Sequence, residues 1–124
     1  MSKVVILGAS AKPQRYANKA QHALLDHGHE VFLVSPKWES IDGLPVHRQL
    51  ADLNTDVDIV TLYVNPDILS GYLPALLALQ PKVVIFNPGT ESSPAERTLR
   101  EAGIETLEAC TLVMLDTGEF ERLA

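Results

Sequence analysis

The residues best suited to chemistry stand directly behind short apolar runs. The first group is Gly8-Ala9-Ser10-Ala11-Lys12-Pro13-Gln14-Arg15, behind Val4-Val5-Ile6-Leu7. A strand–glycine–helix turn aims backbone N–H groups and a positive helix end at one point, which suits a phosphate. Gly8 allows the tight turn, Ser10 adds a hydroxyl donor, and Lys12 and Arg15, on either side of Pro13, add charge. Of the G-x-G-x-x-G fingerprint only Gly8 is a glycine, so the turn also reads as an ordinary connection. A side chain at Gly8 is expected to intrude where N–H groups face a ligand, and so to cost binding more than folding.

The second group is Ser35-Pro36-Lys37-Trp38. Domains that read a free adenosine ribose put an acidic residue at this strand end. Here Lys37 favours a phosphate on the ribose, which disfavours NAD and FAD. It leaves coenzyme A, with its 3′-phosphate, and NADP, with its 2′-phosphate. Lys37 also reads as a solvated surface lysine, and Trp38 as a cap on the core edge or a cover for adenine. Two further loops, Tyr63-Val64-Asn65-Pro66 and Asn87-Pro88-Gly89-Thr90, follow later strands. Gly89 would admit a ligand close to the backbone. Asn, Pro and Gly are also the residues that turns require.

His22, His27, His29 and His47 show no metal-ligand spacing with Cys110 or with a carboxylate pair. No G-x-S-x-G or H-E-x-x-H motif is present. Ser10 and Cys110 have no histidine in their own loops, so no nucleophile–base pair is legible and no catalysis is expected. His47, in an irregular stretch, is the one histidine the fold could carry towards a ligand. Cys110 reads either as a small core residue or as a thiol at the ligand edge, which would suit a redox or regulatory contact.

Composition narrows the partners. The chain has 124 residues, which fits one domain over 1–124 and leaves little room for a second. Its 10 basic and 16 acidic residues give a net charge of −6, without the basic footprint of a nucleic-acid binder. A site for an anionic ligand must therefore be arranged locally. No apolar run approaches the roughly 20 residues of a membrane helix. The start Met1-Ser2-Lys3 meets Gly8 too soon for a signal peptide. One cysteine excludes an internal disulfide and fits a reducing cytoplasm.

The elements that must position these loops alternate. Val4–Leu7, Val31–Val34, Asp58–Val64, Val83–Phe86 and Ile104–Leu107 read as five strands. Helical patterns run from Gln14 to Asp26 and from Pro66 onward, with Asn65 as cap and a kink or break expected near Leu73 because of Pro74. A third helix is expected from the Ser93-Pro94-Ala95-Glu96 capping box to Gly103. The stretch 38–58 is expected to be a loop with a short extended piece around Val46 and a helical turn at 50–53. Thr111–Leu115 should pack back as a short helix. This alternation predicts an α/β, Rossmann-like three-layer sandwich around a five-stranded, mainly parallel sheet. Ligands of such sheets bind beyond the strand C-termini, near the switch point.

Taken together, Gly8-Ala9-Ser10 with Pro13 and Arg15, Ser35-Pro36-Lys37, and Glu108-Ala109-Cys110 resemble the small stand-alone coenzyme A-binding domain proteins, from Lys3 to about Phe120. The pattern is also similar to the N-terminal domain of the succinyl-CoA synthetase α subunit. There the loops after the first four strands hold coenzyme A. The resemblance implies ligand contacts at Gly8, Ser10, Pro13 and Arg15, at Pro36 and Lys37, at Val64, Asn65 and Pro66, and at Asn87, Pro88 and Gly89. It implies a binding module for coenzyme A or an acyl-CoA without its own catalysis. The alternatives are an NADP-dependent oxidoreductase-type domain and a redox or regulatory partner acting through Cys110.

Overall fold

The computed structural model describes residues 1–123. Among these, the sheet has seven strands: β1 (Lys3–Leu7), β2 (Glu30–Val34), β3 (Ser40–Ile41), β4 (Leu44–His47), β5 (Ile59–Leu62), β6 (Val83–Phe86) and β7 (Glu105–Glu108). Four α-helices accompany them: α1 (Tyr16–Asp26), α2 (Pro66–Leu79), α3 (Ser93–Glu101) and α4 (Thr111–Thr117). The sheet order is β3-β4-β2-β1-β5-β6-β7. Every pairing is parallel except β3 with β4.

The five expected strands are present, and β3 and β4 raise the count to seven. Both belong to the stretch expected to be mostly loop. β3 has two residues and β4 carries Pro45, so neither displays a period. Their hairpin turns on Asp42-Gly43, whose φ values are +50° and +84°. Positive φ at two consecutive turn residues is the geometry of a tight hairpin, for which Asp-Gly is a strong signal. β4 then adds to the sheet through Leu33 against Val46 and Val34 against His47.

β1 is apolar on both faces because the sheet is covered on both. Val4 and Ile6 face one core with Ala17 and Leu24 of α1, Met114 and Leu115 of α4, and Phe120. Val5 and Leu7 face the other, with Leu69 and Leu76 of α2 and Leu99 of α3. The chain leaves β1 through α1 towards β2, and leaves β5 through α2 in the opposite direction. The switch point therefore lies between the ends of β1 and β5, where the Tyr63 N–H donates to the Leu7 carbonyl at 2.8 Å.

Helix ends follow the sequence with shifts of one or two residues. α1 starts at Tyr16 rather than Gln14, because Lys12 to Arg15 form a turn closed by the Arg15 N–H on the Lys12 carbonyl. Asn65 caps α2, its side chain accepting from the Ile68 N–H at 2.9 Å. α2 does not break near Leu73 but runs through Pro74 to Leu79. Proline there withdraws a single N–H, and the buried Leu69 and Leu76 on either side keep the helix seated. Ser92, not Ser93, caps α3, accepting from the Ala95 N–H at 3.3 Å. Among the described residues no helix is long and apolar enough to cross a membrane.

Glu96 on α3 is 6 % exposed. Burial, then the neighbouring Glu108 carboxylate, pushes its carboxyl above the usual 4.5, and Arg100 at 4.0 Å offsets this only in part. A carboxyl with a raised folded-state value supports folding below its unfolded value, and that support is lost as pH rises through the folded value. Glu96→Gln is therefore expected to raise the melting temperature at neutral pH and to flatten the decline in stability above about pH 5. Thermal melts of both proteins across that range check it. Parallel pH curves would show that Glu96 is not the titrating group.

Candidate functional site

The switch point opens into a cleft of about 510 Å³. The turn after β1 contributes Gly8, Ser10, Lys12 and Arg15, and the loop after β2 contributes Pro36 and Lys37. The loop after β5 contributes Val64 and Asn65, and the loop after β6 contributes Pro88 and Gly89. Sequence-distant residues thus converge because four parallel strands end at one edge. Three residues named from the sequence do not line this cleft: Pro13, Pro66 and Asn87. Pro13 is exposed in the turn, and Pro66 is the first residue of α2.

Asn87 is buried and acts as a staple. Its Nδ2 donates to Thr61 Oγ1 at 2.7 Å and to the Leu62 carbonyl at 2.8 Å, and its Oδ1 accepts from the Thr111 N–H at 2.9 Å. The side chain ties the end of β5 to the start of α4, beneath the cleft floor.

The turn after β1 differs from the expected ring of free N–H groups. The Gly8 and Ala9 N–H groups both donate to the Val34 carbonyl of β2, at 3.0 and 3.2 Å. The Lys12 N–H donates to Ser10 Oγ at 3.1 Å, which leaves the Ser10 hydroxyl proton available to a ligand. The N–H groups of Ser10, Ala11, Tyr16 and Ala17 have no partner among the described residues. The last two open α1, whose cap residue Arg15 supplies no side-chain cap. Asn18 holds the turn on the helix, its Nδ2 donating to the Ser10 carbonyl at 2.8 Å. Free N–H groups at a helix start, with two cations beside them, suit a diphosphate.

Gly8 lines the cleft, and the fold itself requires a glycine there. Its φ is +95°, and a Cβ there would sit 2.9 Å from the Tyr63 carbonyl oxygen and from Val64 Cγ1. The added atom meets the end of β5, so the expected larger cost to binding is replaced by a cost to folding.

Lys12, Arg15 and Lys37 line the cleft, and among the described residues no Asp or Glu does. Among the described residues none of the three is in an ion pair. Lys37 Nζ lies 5.4 Å from the centre of the Trp38 ring, and both residues border the cleft. Trp38 packs partly on the core, as its core-edge reading expected, and also borders the cleft.

Sequence reasoning missed Tyr16, Ile68 and Tyr72, and named Tyr63 only as part of a loop without a site role; all four line the cleft. Tyr63 ends the β5 run, so a residue flanking a predicted strand end was the available signal. Burial, against the opposing hydrogen-bonding influence of Thr61 and Thr111, pushes its phenol up to about 12, so it stays neutral. His47 pairs within the sheet on β4, its carbonyl accepting from the Ser35 N–H, and its side chain does not line the cleft.

A second recess, of about 410 Å³, adjoins the cleft across Tyr16, Tyr63 and Pro88 and extends to Cys110, Leu112 and Val113. Among the described residues no group of histidines, cysteines and carboxylates is arranged to hold a metal ion.

Residues 2–116 match the family model described as a CoA binding domain. A solved structure of an uncharacterized protein is 42% identical, with a TM-score of 0.87 over 95% of this chain and 97% of that one. The uncharacterized protein YneT of Bacillus subtilis is 24% identical over 101 residues, covering 82% of this chain and 75% of YneT. The dinucleotide-forming acetyl-coenzyme A synthetase 1 of Ca. Korarchaeum cryptofilum shares the fold, with a TM-score of 0.74 at 19% identity. That match covers 87% of this chain and 26% of the synthetase.

Proposed function

The chain belongs to the CoA-binding domain family, and from that premise we propose that it binds coenzyme A or an acyl-CoA without transforming it. The observation that carries this reading is the charge pattern. A chain of net charge −6 places around one cleft three cations that have no ion-pair partner among the described residues, and no Asp or Glu among those residues lines it. Long-range attraction cannot bring an anion to such a chain, so the anion must be recognised locally. The free N–H groups at the start of α1, with Ser10, Lys12 and Arg15, suit the diphosphate. Lys37 suits the 3′-phosphate and Trp38 the adenine. Val64, Asn65, Pro88 and Gly89 suit the arm that follows. The NADP reading finds no support in the comparisons, which point to coenzyme A.

Transformation of a thioester requires a nucleophile or activated water, a base, and donors for the oxyanion. Donors are present. Among the described residues no histidine, Asp or Glu lines the cleft or the adjoining recess. Ser10 and Cys110 therefore have no base beside them, and Tyr63, held up near 12, is not one at neutral pH. The isolated protein is expected to release no thiol from acetyl-CoA or succinyl-CoA while binding coenzyme A in calorimetry. Saturable release lost in Cys110→Ala would replace the module with an enzyme. Absence of coenzyme A binding would withdraw the reading altogether.

A further inference from the structure

The strand ends along the cleft run in the order β2, β1, β5, β6, β7. Chemistry changes along that edge. Lys37 stands after β2, and the Gly8–Arg15 turn with its cations after β1. The neutral phenol of Tyr63 follows β5, and Pro88 follows β6. Cys110, Leu112 and Val113 follow β7. The far end is a mostly apolar recess: among the described residues no charged side chain lines it, and its one amide, Asn87, is engaged with Thr61, Leu62 and Thr111.

This recess is not sealed by folding. The exposed large hydrophobic residues are Met1, Tyr16, Leu25, Ile68 and Val113. Tyr16, 65 % exposed, and Val113, 55 % exposed, line the recess, and Ile68 lines the cleft. Apolar surface gathered at one continuous hollow marks a binding surface more than scattered exposure does.

Coenzyme A has the same order of chemistry: phosphates at one end, an amide arm, then a thiol. A bare thiol would leave most of the apolar wall in water. We infer that the recess beside Cys110 holds the acyl chain of a thioester, so that the ligand is an acyl-CoA with an apolar chain. This inference rests on the coenzyme A reading. Tyr16, Tyr63 and Pro88 form the threshold the thioester crosses, and Cys110 serves as apolar wall, with no bond made or broken.

Each methylene moved from water into an apolar site contributes about 0.8 kcal/mol, or about fourfold in affinity. Calorimetry with coenzyme A, acetyl-CoA, butyryl-CoA and hexanoyl-CoA reads this directly. Affinity is expected to climb with chain length, by up to about fourfold per methylene. Val113→Asn places a polar group on the recess wall at an exposed position that tolerates it. In that variant the ratio of hexanoyl-CoA to coenzyme A affinity is expected to fall towards one. Coenzyme A that binds with no dependence on chain length overturns the acyl recess and leaves the coenzyme A reading standing. A slope that survives Val113→Asn also overturns it. If wild type sediments as a dimer, Val113→Asn as a monomer, and the acyl affinities are the same in both, the recess belongs to a second copy of the chain. No binding of any of the four ligands removes the coenzyme A reading and this inference together.

Discussion

Coenzyme A is expected to bind about ten- to about a hundredfold more tightly than dephospho-coenzyme A, from a charge-assisted contact of about 1.5–3 kcal/mol. The contact is assigned to Lys37. Its ammonium has no carboxylate partner among the described residues and lies 5.4 Å from the centre of the Trp38 ring. Its backbone is fixed, since its N–H donates to Ser35 Oγ at 3.2 Å. A lysine already positioned beside an aromatic face loses less freedom when a phosphate arrives. An adenine over Trp38 would bring the 3′-phosphate within its reach. Calorimetry at low and high salt separates this contact from general attraction, because an exposed pair weakens as salt rises. Lys37→Ala should lower coenzyme A affinity to that of the dephospho form and leave the latter little changed. Equal affinities of the two ligands for the wild type would return Lys37 to the solvent.

Much of this site was legible because it depends on where strands stop. Val4–Leu7 and Val83–Phe86 are apolar on both faces, and each is followed at once by turn residues, so the loops behind them could be named, and both border the cleft. What lines the walls was less legible. Tyr16 and Tyr72 reach the cleft from the helices α1 and α2. Which face of each helix meets the switch point depends on how the helix packs, and periodicity alone does not say. Asn87 shows a related limit: it lines the recess rather than the cleft, and its side chain also joins a buried network. An asparagine after a strand serves a ligand and a buried network equally well, and only the positions of Thr61 and Thr111 decide between them. The extended piece expected around Val46 is β4, but β3 and the hairpin pairing were missed because these strands are too short to show alternation, although Asp42-Gly43 carried the turn signal.

Gly8→Val is expected to destabilise the fold by about 2–6 kcal/mol, before any effect on ligand. One part is backbone. A φ of +95° is outside the range a β-branched residue adopts, and such strain costs about 1–3 kcal/mol. The other part is contact. The first added carbon would lie 2.9 Å from the Tyr63 carbonyl oxygen and 3.0 Å from its carbon. Those atoms belong to the Tyr63 backbone just after β5, whose N–H is hydrogen-bonded to the Leu7 carbonyl, and cannot swing away like a side chain. Overpacking against such a wall adds about 1–3 kcal/mol. The total is a large share of the roughly 5–15 kcal/mol that holds a domain together. Gly89 supplies the control. Its φ is +93°, almost the same, yet a Cβ there meets nothing within 4 Å. Gly89→Ala should therefore show the backbone part alone, and Gly8→Ala the backbone part plus the contact. Urea unfolding of the three variants measures the difference. If Gly8→Ala and Gly89→Ala lose equal stability, the approach of Gly8 to Tyr63 carries no cost. A Gly8→Val protein that unfolds at the wild-type midpoint and fails to bind coenzyme A would restore the glycine to the ligand.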